Sequence, residues 1–161
     1  MAGLDLLVTE HWTWRLAHNQ CCLGRIVIDR NRRADGSLAS LDTAEWAALG
    51  AHLGAYEALL TRLFQPDRFN YMQLGNVVPH VHVHATPRYR TARVWRGVRF
   101  TDERWGGPPW PETASPLDES GTAELAEFLR SEIAASRATP AFRALFSREP
   151  NHGGDGAGGV G

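Results

Sequence analysis

The chain has 161 residues, 43% apolar and 22% charged, which suits one soluble domain with a substantial core. A net charge of −1 leaves no broad positive field for nucleic acid or an anionic membrane. All 17 basic residues are Arg, so any cationic contact to phosphate comes from a guanidinium and no lysine is available for catalysis.

The N-terminal stretch MAGLDLLVTEHW lacks the basic and apolar regions of a secretory signal, and no stretch reaches the length of a membrane span. The expected compartment is the cytoplasm. Cys21 and Cys22 are adjacent and are the only cysteines, which argues against a disulfide framework or a zinc knuckle and for two small buried residues near a strand.

Thr13 to Ala17 and Gly24 to Asp29 read as strands, the second carrying the apolar run Ile26, Val27, Ile28. NRRADG at 31–36 is a polar turn. A helix follows, opened by the capping-box spacing of Asp42 and Glu45. Trp46, Leu49, Leu53, Tyr56, Leu60 and Leu63 recur at steps of three and four, which predicts one stripe covering a sheet. Gly50 and Gly54 lower helix propensity, and close packing is the reason expected for them. His52, beside the stripe, is expected to be structural or exposed.

Pro66 ends that helix. Arg68 to Leu74 reads as a third strand, GNVVP at 75–79 as a tight connection, Val81 to Thr86 as a fourth strand and Arg93 to Phe100 as a fifth. Residues 101–120, with Trp105, Trp110 and several prolines, read as an ordered loop or lid. Thr122 to Ala135 is a second helix with Leu125, Phe128, Leu129 and Ile133 inward, and Pro140 to Phe146 is a short third one. The tail after residue 150 is flexible by composition, and His152 belongs to it. Together these elements predict an α+β domain over residues 1–150, with a core at about 12–110, an extension at 111–150 and a tail at 151–161.

Three of the seven histidines stand in HVHVHATPRY at 80–89. Strand alternation puts His80, His82 and His84 on one face and Val81, Val83 and Ala85 on the other. Three unpaired imidazoles are costly to bury, so their face is expected to be polar or reachable by solvent. Such a row could bind a metal through neutral imidazoles. It could attack phosphorus, with one ring as nucleophile and its neighbours as donors. It could also be an exposed strand of no consequence.

HVHVHAT resembles the signature of the histidine triad (HIT) family, in which histidines alternate with apolar residues. LGRIVI, the helix at 42–64, FNYMQLGNVVPHVHVHATPRY and the Trp-rich segment are similar to bacterial members related to diadenosine tetraphosphate hydrolases. The resemblance implies an α+β HIT-like fold: a roughly five-stranded antiparallel sheet, a long covering helix and a C-terminal helix. It implies a nucleotide hydrolase that cleaves a phosphoanhydride or phosphoramidate through a nucleotidyl-histidine intermediate. A transferase or phosphorylase, or a nucleotide-binding module without turnover, are the alternatives.

By motif position His82 is the nucleophile, with His80 and His84 beside the reacting phosphate. Gln73, Asn76 and Arg88 are the candidate phosphate contacts, and Asn70 and Trp95 the candidate nucleoside contacts. The pattern departs from the family at Asn76, which stands where many members have Gln, and at Val77, which replaces a hydroxyl residue. RNRRADG at 30–36 stands where the family often has a histidine. Its Arg30, Arg32 and Arg33 read either as a polyphosphate attractor or as a solvated loop. Trp95, Trp105 and Trp110 suit adenine stacking or dimer packing. The resemblance implies a homodimer and no resident metal or cofactor, with a divalent cation accompanying a polyphosphate substrate. No nucleic-acid or membrane partner is expected.

Overall fold

The computed structural model describes residues 3–147; the tail assigned to 151–161 lies outside the described residues. Five strands form one antiparallel sheet: β1 Asp5–Val8, β2 Trp12–Leu16, β3 Ile26–Arg30, β4 Arg68–Gln73 and β5 His82–Arg88. Their order is β1-β2-β3-β5-β4. The chain leaves β3, crosses the sheet as α1 Thr43–Phe64, returns as the edge strand β4, and inserts β5 between β3 and β4. The histidine row therefore lies inside the sheet, with a strand on either side.

The α+β architecture is as expected, but the fifth strand comes from the N-terminus rather than from residues 93–100. In β1, Leu6 and Leu7 are both buried and the pairing register shifts between Asp5 and Leu7. That irregularity breaks the two-residue alternation by which a strand is read in sequence. Residues 93–100 instead form a separate hairpin, β6 Arg93–Trp95 and β7 Val98–Phe100. Arg96 at φ 47° and Gly97 at φ 80° make the two-residue turn, and two successive positive φ values match the twist of a hairpin.

The cross-strand register divides the sheet into two faces. Trp12, Trp14 and Leu16 of β2 stand beside Arg30, Ile28 and Ile26 of β3, and the last two stand beside Val83 and Ala85 of β5. This face is covered by α1 and by α2 Glu119–Ser136, whose Leu125, Leu129 and Ile133 are buried as expected. The short helix α3 Pro140–Arg143 adds Phe142, edge-on to Trp14 at 6.0 Å. The turn before β3 is pinned under α1. Gly24 has φ +91°, its carbonyl accepts from the Tyr56 hydroxyl at 3.0 Å, and a Cβ there would run into the Leu60 side chain.

The α1 capping box forms: Glu45 N donates to Asp42 Oδ1 at 2.8 Å and Asp42 N donates to Glu45 Oε2 at 2.9 Å. The buried stripe is rotated from the one expected. It runs through Glu45, Leu49, His52, Ala55, Tyr56, Leu59, Leu60 and Phe64, while Trp46 is exposed. The cause is Glu45, drawn inward to Arg30 at 2.8 and 2.6 Å, and holding Arg32 at 3.1 and 2.9 Å. These guanidinium donors hold the Glu45 carboxyl well below the usual carboxylate range. The packing reason expected for Gly50 and Gly54 fails, because a Cβ at either would meet nothing within 4 Å. No helix among the described residues is long and apolar enough to cross a membrane.

Candidate active site

His82 and His84 lie on β5, and His80 precedes it in an isolated bridge to Asp35. Val81, Val83 and Ala85 are buried in the core, so the period-two reading of the row holds. The ring centroids are 5.5 Å apart for His80 and His82, and 5.1 Å for His82 and His84. His82 is 8% exposed, and its two neighbours are half-buried.

Each ring has a different partner. The Nδ1 of His82 lies 3.0 Å from the carbonyl oxygen of His80. A carbonyl only accepts, so Nδ1 carries the proton and donates; the neutral ring then has its lone pair on Nε2. His80 Nε2 lies 3.2 Å from Asp29 Oδ1 and 2.8 Å from Arg33 Nη1. A carboxylate only accepts and a guanidinium only donates, so the nitrogen serves Asp29 when protonated and Arg33 when bare. His84 Nδ1 faces Arg25 Nη2 at 3.5 Å. Burial, then Arg25 and His82, push the protonation of His84 below that of an ordinary imidazole.

Asp29 is the residue that sequence reasoning passes over. In sequence it is only the end of a strand, yet it pairs with His82 across β3 and β5 and takes Arg15 Nη1 on its other oxygen at 3.0 Å. The available signal is a carboxylate closing an otherwise apolar strand run; the register that aims it at the triad is a tertiary fact. Among the described residues, no group of three or more His, Cys, Asp and Glu side chains is arranged to hold a metal ion.

Several expected contacts lie elsewhere. Arg88 is not available to phosphate. Its Nε and Nη2 hold Asp102 at 2.7 and 3.1 Å, and its other bonds go to Asn70 Oδ1 and to the carbonyls of Arg104 and Gly107. It clamps the segment after β7 to the sheet, and only 3% of its side chain is exposed. Asn70 lies on the triad face but its Oδ1 accepts from Arg88 and its Nδ2 donates to Phe69 O, so it pins Arg88 rather than meeting a nucleoside. Trp95 is buried against Phe128 of α2 at 6.0 Å and belongs to the core.

Gln73 pairs with Val83, so register assigns it to the helix-covered face; Met72 is the β4 residue beside His84. Asn76 is exposed in the connection between β4 and β5. Arg30 is buried on Glu45 and Arg32 pairs with the same carboxylate, so neither the polyphosphate nor the solvated reading fits Arg30. Arg33, on His80, is the arginine of that loop brought to the triad.

No protein-family model matches the chain, and no curated protein does. Solved structures do. A histidine triad protein from Bradyrhizobium japonicum superposes with a TM-score of 0.62 at 18% identity, over 81% of this chain and 90% of that one. A histidine triad protein from Marinobacter aquaeolei gives 0.62 at 20% identity, over 88% and 89%. A diadenosine triphosphate hydrolase from Plasmodium falciparum gives 0.56 at 16% identity, over 82% and 77%. At these identities the likeness is one of fold, and the fold is that of the histidine triad proteins.

Proposed function

We propose that the chain is a nucleotide hydrolase acting at the α-phosphate of a nucleotidyl phosphoanhydride or phosphoramidate, with dinucleoside polyphosphates as the leading substrate class. The observation that carries this reading is the His82 hydrogen bond. Its Nδ1–H donates to the His80 carbonyl at 3.0 Å, which leaves Nε2 bare on an interior strand between two further imidazoles.

In this reading Nε2 attacks the α-phosphorus, a P–N bond forms, and the bond from phosphorus to the leaving group breaks. The leaving group takes up a proton supplied by a flanking imidazole or by water. Water then cleaves the P–N bond, releasing a nucleoside monophosphate and restoring the ring. Arg33 and Asn76 are the polar side chains assigned to the phosphate chain. Residues 1–150 form the working unit, as a cytoplasmic homodimer. The hydrolase neighbour from Plasmodium falciparum supports the substrate class by likeness of fold.

The test is intact-protein mass spectrometry after an acid-free quench with diadenosine polyphosphates and adenosine phosphoramidate, comparing wild type with His82→Asn. An adenylyl adduct in wild type alone is expected. Neither adduct nor product across the panel would overturn the reading in favour of binding without turnover.

A further inference from the structure

Arg25, in the turn between β2 and β3, has 2% of its side chain exposed and pairs through Nη1 with Glu112. The same nitrogen lies 3.5 Å from the Asn19 carbonyl, Nη2 faces His84 Nδ1 at 3.5 Å, and Nε has no hydrogen-bond partner among the described residues. A buried guanidinium is costly unless it is paired, and truncating its partner leaves the charge uncompensated. An apolar residue would pack a turn at lower cost, so the charge itself calls for an explanation.

Glu112 comes from the Trp- and Pro-rich segment after β7. That segment is tied down beside it by Asn19, whose Nδ2 donates to Thr113 O at 2.9 Å, and by Arg88 on Asp102.

We propose that Arg25 is a positioning residue for His84: it donates to Nδ1, keeps that nitrogen without a proton and leaves the ring's proton on Nε2, while Glu112 compensates the buried charge. This rests on the hydrolase reading above. A guanidinium has no acceptor, so its contact fixes the direction of the bond. His82 carries its proton on Nδ1 and His84 on Nε2. Neighbouring rings 5.1 Å apart therefore hold opposite tautomers, a bare nucleophilic nitrogen beside an N–H donor. In the reaction the first bonds phosphorus and the second stabilises the charge on a phosphate oxygen.

The charged and titratable groups acting on His84 are Arg25 from the turn, Glu112 from the segment after β7, His82 on its own strand and Asp29 on β3. Its cross-strand neighbours Val27 and Met72 are uncharged.

The experiment is nitrogen-15 histidine NMR of the full chain across pH, without substrate. It uses wild type, Arg25→Met, Arg25→Lys and Glu112→Gln, with circular dichroism as the check on folding. Wild type should show His84 as the Nε2–H tautomer. Arg25→Met should raise its titration midpoint by about one unit and admit the Nδ1–H tautomer, since a nearby cation disfavours protonation. Glu112→Gln should lower the midpoint, and Arg25→Lys should restore the wild-type value. Shifts of the same sign in the Arg25→Met and Glu112→Gln variants, or a folded Arg25→Met with an unchanged His84, would overturn the assignment. If Arg25→Met does not fold, an unmoved midpoint in Glu112→Gln overturns it. Substrate is absent from this measurement, so its outcome is separate from that of the adduct experiment.

Discussion

Two histidines are nearly closed off from solvent on opposite faces of one sheet, His52 at 1% exposure on the buried face of α1 and His82 at 8% in the triad row. His52 has its Nε2 on the Thr9 hydroxyl at 3.0 Å, its Nδ1 unpartnered among the described residues, and Trp14 edge-on at 5.7 Å. His82 has a carbonyl on Nδ1 and imidazoles on both sides. Burial disfavours charge on an imidazole, but only a partner of fixed polarity decides which nitrogen keeps the proton. The one Thr9 proton goes to the Trp12 carbonyl at 3.0 Å, so Thr9 accepts from His52 Nε2–H and the bare Nδ1 of His52 faces the core, whereas the backbone carbonyl on His82 Nδ1 aims a bare Nε2 along the triad row. One environment makes a core residue and the other suits a nucleophile.

The largest expected effect breaks the comparison at the triad. His82→Asn keeps a side chain that can donate to the His80 carbonyl but removes the nitrogen proposed as the nucleophile. Turnover should fall by about a thousandfold or more with melting temperature little changed. Steady-state hydrolysis beside a thermal melt checks both halves; full activity in the variant would sink the nucleophile assignment.

At His52 the effect is on stability. Burial lowers its protonation midpoint from 6.5 to about 4. Between those values the unfolded chain binds a proton that the folded chain does not. Stability is therefore complete above pH 6.5 and is lost as pH falls toward about 4, at about 1.4 kcal/mol per unit and approaching about 3 kcal/mol. Glu45, whose folded midpoint is depressed, keeps its contribution down to the ordinary carboxylate range and loses it as pH falls through and below that range, so most of the His52 window lies above it. Urea melts at pH 7, 6 and 5 should show a clearly steeper slope in wild type than in His52→Gln, the remainder coming from His84, whose protonation is also held down.

Asp29→Asn sharpens the triad side. It keeps the shape and removes the charge shared by His80 and Arg15. The expected result is a fall in kcat of about tenfold with KM nearly unchanged, because in the proposed mechanism Asp29 orders His80 beside the reacting group rather than holding the nucleotide. A fall confined to KM would assign it to binding.

How far this was legible in the sequence depends on the range of the interaction. The triad row follows from a period of two along one extended run of chain, and the start of α1 follows from Asp42 and Glu45 three residues apart; both are local. Asp29 and Arg25 act through strand register and turn geometry. Arg88 and Trp95 escape a sequence reading because their partners Asp102 and Phe128 lie on other elements. The rotated stripe on α1 has the same origin. Trp46 is the larger apolar residue, but Glu45 is fixed inward by Arg30 from β3. A long-range ion pair prevailed over a local hydrophobic pattern.

That rotation carries the smallest prediction. Gly50 and Gly54 lie on the outward face of α1 with open space beyond them, and Trp46 is exposed on the same side. An exposed glycine inside a helix costs roughly 0.5–1 kcal/mol relative to alanine through backbone entropy. Gly50→Ala should therefore raise the unfolding free energy by about that amount in a urea titration, with Gly54→Ala behaving alike. The alternative outcome is informative about the same face. If either alanine is neutral at low protein concentration and destabilising at high concentration, something covers the helix in solution that one chain alone does not supply. Because a second copy would have to approach within a methyl group of the backbone, the concentration dependence separates a covered face from a merely unfavourable substitution.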